Sequence, residues 1–229
     1  MKVYELKLKA YLMEDISAVK SSETIAALID KSFIHSEEMK KFHKERKFKF
    51  YTFNSFYPLE KDKIYKAGKI YTVLIRTVDD RLVKYFETYL ANEYTDKIKA
   101  LTVQTKVLPY RHIHKIYSVT PCVVKFDGYW KGKYTISEYE NRLRTNLIKK
   151  YQEFFGEKLD ENFELFNHIQ FENDKPIAIP IKNIKLLGDK LSLQVADNKT
   201  AQMLSYFALG TGLSELNSRG YGYTNYKFI

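Results

Sequence analysis

Between Lys40 and Phe53 one histidine, His43, stands among six cations: Lys40, Lys41, Lys44, Arg46, Lys47 and Lys49. An imidazole takes or gives a proton near neutral pH. A nearby lysine stabilises the charge that builds on a phosphate in its transition state. Together these are the parts for cleaving RNA without a metal. The strand's own 2′-hydroxyl attacks the adjacent phosphate and the 5′-oxygen leaves. The ends are then a 2′,3′-cyclic phosphate and a 5′-hydroxyl. The bare residues also allow a plainer reading, in which His43 flanks Met39 and Phe42 on a helix and is only a half-buried surface histidine.

The second informative stretch is Gly210-Thr211-Gly212-Leu213-Ser214-Glu215-Leu216-Asn217-Ser218-Arg219-Gly220-Tyr221-Gly222, which holds four of the chain's nine glycines. Glycine permits positive φ and close backbone approach, and successive free N–H groups can form an anion-binding nest. Arg219 adds a guanidinium suited to a bidentate phosphate contact. The stretch has no Lys-Ser/Thr pair and follows a helix instead of preceding one, so it is not a nucleotide-binding P-loop. A long glycine-rich turn with no ligand is the alternative. A third segment, Lys125 to Tyr134, mixes aromatics, glycines and lysines. Its Trp130 and Lys131 can stack a base and pair a phosphate, or Trp130 can pin the loop to the core. His112 and His114 share one strand face, but no third metal ligand is evident and no metal or other cofactor is expected.

These residues need elements to hold them. Tyr4, Leu6, Leu8, Ala10 and Leu12 alternate with Glu5, Lys7 and Lys9, the pattern of a half-buried strand. Ser21 or Ser22 opens a helix with Ile25, Leu28 and Ile29 on its inner face, and Ser36 opens a second short helix. Strands are expected at 47–53, 70–78 and 98–108. A helix capped by Asp79 lies between the last two. Pro109 marks a seam. Beyond it the spacing predicts a strand within 112–126, a helix near 137–155, strands near 163–171, 177–187 and 191–195, a helix capped by Asn198, and a last strand at 221–229. Gly188-Asp189 reads as the hairpin turn between the 177–187 and 191–195 strands. Strand-helix-strand-strand-helix-strand thus occurs twice. That is α+β, two tandem ferredoxin-like (βαββαβ) domains, 1–110 and 111–229, without a sequence repeat to mark the duplication.

Composition narrows the partner. The 229 residues carry 38 Lys+Arg against 28 Asp+Glu, a net charge of +10. That favours a polyanion, or else serves solubility alone. The one cysteine, Cys122, can form no intramolecular disulfide, which points to a reducing, cytoplasmic compartment. Charges break the N-terminal stretch at once, and no apolar run approaches the ~18 residues of a membrane span.

The chain resembles the RAMP superfamily, and within it the CRISPR RNA-processing endoribonucleases of the sixth Cas family. The likeness rests on the glycine-rich loop 210–222 ending Asn-Ser-Arg-Gly-Tyr-Gly, on the segment from His43 to Phe53, and on Ser118-Val119-Thr120-Pro121-Cys122-Val123-Val124. It implies His43 as general base or acid and Lys49 as phosphate stabiliser, ahead of a Tyr51-Thr52-Phe53 strand. Some members use a tyrosine in the first helix; the corresponding position here falls near Asp30. His35 is then a candidate for the second proton transfer. The implied RNA contacts are Lys44, Arg46, Lys47, Gly210, Gly212, Asn217, Ser218, Arg219, Gly220 and Gly222, with Trp130 and Lys131. The implied partner is CRISPR repeat RNA, with other Cas proteins of an effector complex as further partners, and the chain acts as a monomer or homodimer. A non-catalytic RAMP protein that binds CRISPR RNA, and a ferredoxin-like regulatory module unrelated to RNA, are the competing readings.

Overall fold

The computed structural model describes residues 1–181 and 184–229. In chain order the strands are β1 (Tyr4–Leu12), β2 (Ile16–Ser17), β3 (Tyr51–Phe53), β4 (Ile64–Tyr65), β5 (Ile70–Thr77), β6 (Ile98–Val107), β7 (Ile113–Ser118), β8 (Phe166–Phe171), β9 (Ile177–Ile181), β10 (Ile184–Gly188), β11 (Leu191–Val195) and β12 (Thr224–Phe228). The α-helices are α1 (Ser21–Ser32), α2 (Glu37–Lys44), α3 (Asp80–Tyr89), α4 (Ile136–Phe155) and α5 (Lys199–Thr211).

Two four-stranded sheets have the orders β3-β5-β1-β6 and β12-β7-β11-β8. Each places its first strand in the middle, beside the third and fourth, and every pairing is antiparallel. This is the ferredoxin-like topology, and it occurs twice. Alternation along β1 drives Leu6, Leu8, Ala10 and Leu12 onto α1 and α3, which answer with Ile25, Leu28, Ile29, Leu82 and Phe86. The capping signals act where the sequence puts them. Asp79 accepts from the Arg81 N–H at 2.9 Å, and Asn198 accepts from the Ala201 N–H at 2.9 Å. Thr135 and Glu138 form a reciprocal capping box at the start of α4, worth about 1 kcal/mol for such a cap.

Three local expectations are corrected. The strand expected at 47–53 pairs only at Tyr51–Phe53, because Phe50 takes a left-handed φ of 51° and Lys49 turns back onto α2. The strand expected at 112–126 ends at Ser118; beyond it the chain is irregular, with isolated bridges at Cys122 and Val123. The segment 177–187 is not one strand but a hairpin of β9 and β10, Ile181 opposite Ile184 and Ile177 opposite Gly188; its turn lies outside the described residues. Gly188-Asp189 is therefore no hairpin turn. It is the corner where the chain passes from β10 to β11, which pairs with β7 and β8. Cys122 holds the corner by two backbone hydrogen bonds to Asp189, 2.8 and 3.0 Å. A side chain at 188 would meet the Cys122 carbonyl at 2.7 Å.

The halves are joined through buried polar groups. Arg76 of β5 is 3% exposed. It pairs with Glu5 (2.8 Å), donates to the Thr224 carbonyl (2.6 Å) and lies over the Tyr223 ring (4.6 Å). Tyr206 of α5 donates to the Leu108 carbonyl at 2.6 Å and accepts from the Val3 N–H at 3.2 Å. Val3 and Val78 of the first half belong to the core that α5 builds in the second. No helix among the described residues is long and apolar enough to cross a membrane.

Candidate active site

His43 sits in the last turn of α2, whose start is fixed by Ser36 at the N-cap and by Glu37 and Glu38 in the first turn. Met39 is buried and Phe42 packs on the first core, so the next residue is held at the surface, with 35% of its side chain exposed. Its ring stacks on buried Phe33, centroids 5.6 Å apart. Its Nδ1 lies 3.5 Å from Oδ1 of Asp30, in the last turn of α1. The other carboxylate oxygen of Asp30 accepts from the Arg219 guanidinium. Asp30 thus joins the histidine of the first half to the glycine-rich loop of the second.

Lys49 and Tyr51 complete this side. The Lys49 ammonium donates to the carbonyls of Phe42 and Glu45, the latter at 2.8 Å, and rests 4.4 Å from the Phe42 ring centre. It closes the carbonyl end of α2, where a cation is favoured, on either side of His43. Burial lowers its pKa, partly countered by Glu45. Tyr51 is buried with Asp30, Arg219 and Ser218 as its polar neighbours; burial raises its phenol pKa. His35 is not brought to this cluster. Its Nε2 pairs with Glu93 at 2.8 Å, and its ring stacks on Tyr89.

The glycine-rich loop is packed where an open nest was expected. Gly210 lies inside α5; a Cβ there would meet Val78 at 2.7 Å. A Cβ on Gly220 would strike the Phe53 ring at 2.6 Å, and one on Gly222 the Leu213 carbonyl at 2.0 Å. Gly212, Gly220 and Gly222 all have positive φ. Asn217 faces inward and donates to the carbonyls of Leu213 and Tyr221, each at 2.8 Å. Beneath the loop, buried Lys150 of α4 donates to the carbonyls of Gly212 (3.0 Å) and Ser214 (2.6 Å) and to Oδ1 of Asn217 (2.5 Å). Burial draws the Lys150 pKa down to about 7, against the raising effect of Glu215. The glycines thus shape the loop, and Ser218 and Arg219 are what it offers outward.

The loop and the segment before β3 face each other across a cavity of about 360 Å³, lined by Arg46, Lys47, Lys49, Tyr51, Lys125 and Ser218 among others. Lys44 is exposed at the end of α2. Trp130 is not available to a base. Its Nε1–H donates to Asp189 at 2.9 Å and its ring stacks on Phe171, while neighbouring Lys131 stays exposed. Sequence reasoning missed two contributors. The site of Asp30 was marked only by the missing tyrosine, and Lys150 was hidden in an ordinary Lys149-Lys150 pair of a long helix.

Two tandem ferredoxin-like halves, with the glycine-rich loop of the second packed on β3 and α1 of the first, have the architecture of a RAMP-type protein. The profile described as CRISPR associated protein Cas6, C-terminal, matches residues 103–226. The chain belongs to the Cas6 family. A curated relative, CRISPR-associated endoribonuclease Cas6 1 of Methanocaldococcus jannaschii, is 29% identical over 208 residues, covering 80% of this chain and 76% of the relative. Among solved structures, a CRISPR associated protein Cas6 superposes with a TM-score of 0.72 at 22% identity, covering 98% of this chain and 99% of that one. An RAMP protein binding different RNA substrates superposes with a TM-score of 0.75 at 15% identity, with the same coverage. These structures share the fold.

Proposed function

We propose that the chain is a metal-independent endoribonuclease that cuts precursor CRISPR RNA within its repeats. The observation that carries this reading is the placement of His43. One imidazole nitrogen faces Asp30, 3.5 Å away, and Arg219 of the glycine-rich loop holds the other side of that carboxylate. The second nitrogen, Nε2, then serves the RNA. A proton leaves the 2′-hydroxyl for Nε2 as the 2′-oxygen bonds to phosphorus. The bond from phosphorus to the 5′-oxygen breaks, that oxygen takes a proton from water, and the imidazolium returns its own proton to solvent. Lys49, and the cations lining the cavity beside it, stabilise the extra charge on the phosphoryl oxygens. Asp30 touches no reacting atom; it is a positioning residue for His43. The membership in the Cas6 family and the endoribonuclease name of the M. jannaschii relative support the reaction class.

The test is a repeat RNA carrying a single 2′-deoxyribose on the 5′ side of the cut. The account expects no cleavage there, while the all-ribose strand yields 2′,3′-cyclic phosphate and 5′-hydroxyl ends. Cleavage of the deoxy strand at an undiminished rate would require an external nucleophile and would overturn the mechanism.

A further inference from the structure

The long helix α4 has a polar side that the site above does not use. Arg142, Thr145, Asn146 and Lys149 follow the spacing of one helical face. They line a groove with Lys125 and Phe48, closed at one end by Ser214 and Glu215 of the glycine-rich loop. The cavity beside Lys49 and Tyr51 shares Phe48, Lys125, Ser214 and Glu215 with it. The two concavities are therefore adjacent, one beside Lys49 and the other along the outer turns of α4.

The charge of this groove is lopsided. Its one carboxylate, Glu215, is already answered: Asn146 donates to it at 2.9 Å and Lys125 lies 3.6 Å away. Glu153, further along, accepts the Phe48 N–H at 3.3 Å. Among the described residues Arg142 and Lys149 make no ion pair, and Arg142 is steadied over the Phe126 ring at 5.5 Å. Both cations are exposed and, with Lys125, line a concavity whose single carboxylate is already paired, beside the candidate site, where field lines concentrate.

We propose that this face of α4 is a phosphate track for the RNA strand on one side of the cut, with Arg142 and Lys149 as its outer contacts. Seven positions apart, they are separated by about 10 Å along the helix, enough for contacts to about two phosphates. The proposal rests on the RNA-processing reading above for its ligand and adds where the strand runs. Such contacts position the RNA and carry no sequence information.

The test compares wild type, the pair Arg142→Gln/Lys149→Gln, and a control pair of exposed lysines outside the groove, Lys61→Gln/Lys84→Gln. Each binds labelled host repeat RNA and an oligo-U of equal length, over a series of salt concentrations. For the groove pair the slope of log affinity against log salt should fall by about 1.4, that is ~0.7 for each of two single-strand phosphates. Affinity near 0.1 M salt should drop by about tenfold with both RNAs, with the control pair near wild type. Unchanged slope and affinity in a folded groove variant would overturn the proposal, as would an equal loss in the control pair. If wild type bound oligo-U with this groove dependence yet neither cut nor preferred the repeat RNA, the track would stand and the processing reading would fall.

Discussion

At the scale of single residues, the proposed chemistry turns on how His43 is held. A histidine stacked on Phe33 with Nδ1 turned toward a carboxylate 3.5 Å away leaves its other nitrogen available. Replacing Asp30 with Asn removes the charge that faces Nδ1 and leaves Arg219 without its carboxylate. We expect Asp30→Asn to slow single-turnover cleavage by at least about tenfold, the lower end of what losing the partner of a metal-bound histidine costs and well short of the ~10⁴ lost with the carboxylate of a general-base histidine, and Asp30→Glu to restore part of the rate. A structural role alone would not change the imidazole tautomer. The ¹⁵N shifts of His43 should therefore report a proton on Nδ1 in the wild type and a changed tautomer balance in Asp30→Asn. Unaltered shifts and rate in the Asn variant would remove Asp30 from the account. His43 and Lys49 were marked as candidates in the sequence because the family resemblance singled them out; a histidine among lysines by itself also reads as a surface residue. Asp30 was not marked, because its meaning depends on α1 ending beside α2 and beside a loop nearly two hundred positions away.

At the scale of elements, the glycine-rich loop shows what spacing can and cannot reveal. Its glycines mark a segment of unusual backbone, and the positive φ values agree. Their neighbours could not be foreseen: Phe53 against Gly220, and an ammonium from α4 beneath Gly212 and Ser214. The hairpin at 177–188 was misread for a related reason. A run of apolar residues ending in Gly-Asp satisfies a strand and turn locally, while the actual pairing is set by Cys122 holding the corner at Asp189. Lys150 is the element's pin, and its loss has a definite pH signature. Its pKa is about 7 in the fold against 10.5 as a free side chain, so between those values the unfolded chain binds more protons than the folded one. The group's contribution to stability therefore rises with pH across that window. Lys150→Met should destabilise the fold through loop carbonyls left unpaired, about 1–3 kcal/mol for each. The deficit relative to wild type should widen from pH 7 toward pH 10. Denaturant titrations at several pH values measure this, and a deficit constant in pH would contradict the reading of Lys150.

At the scale of the whole molecule, neither half holds the candidate site alone. The first supplies His43, Asp30 and Lys49; the second supplies Arg219 and Ser218 and the loop that carries them. The seam that joins them is polar and buried, built on Arg76, Glu5 and Tyr206. Removing one partner of such a buried pair costs roughly 3–5 kcal/mol, so the alignment of the halves is firmly held. The doubled strand-helix pattern was legible because periodicity and caps are local. The face the halves present to each other was not, since it depends on α5 packing across the seam onto Val3 and Val78. The central claim, that RNA is cut by acid–base chemistry at this composite site, is tested most directly by incubating labelled host repeat RNA with wild type and with His43→Ala in excess EDTA. The account predicts one EDTA-resistant cut by wild type that is lost in the variant, while the variant still binds the RNA. Equal cutting by both proteins, or cutting by wild type that EDTA abolishes, would contradict it.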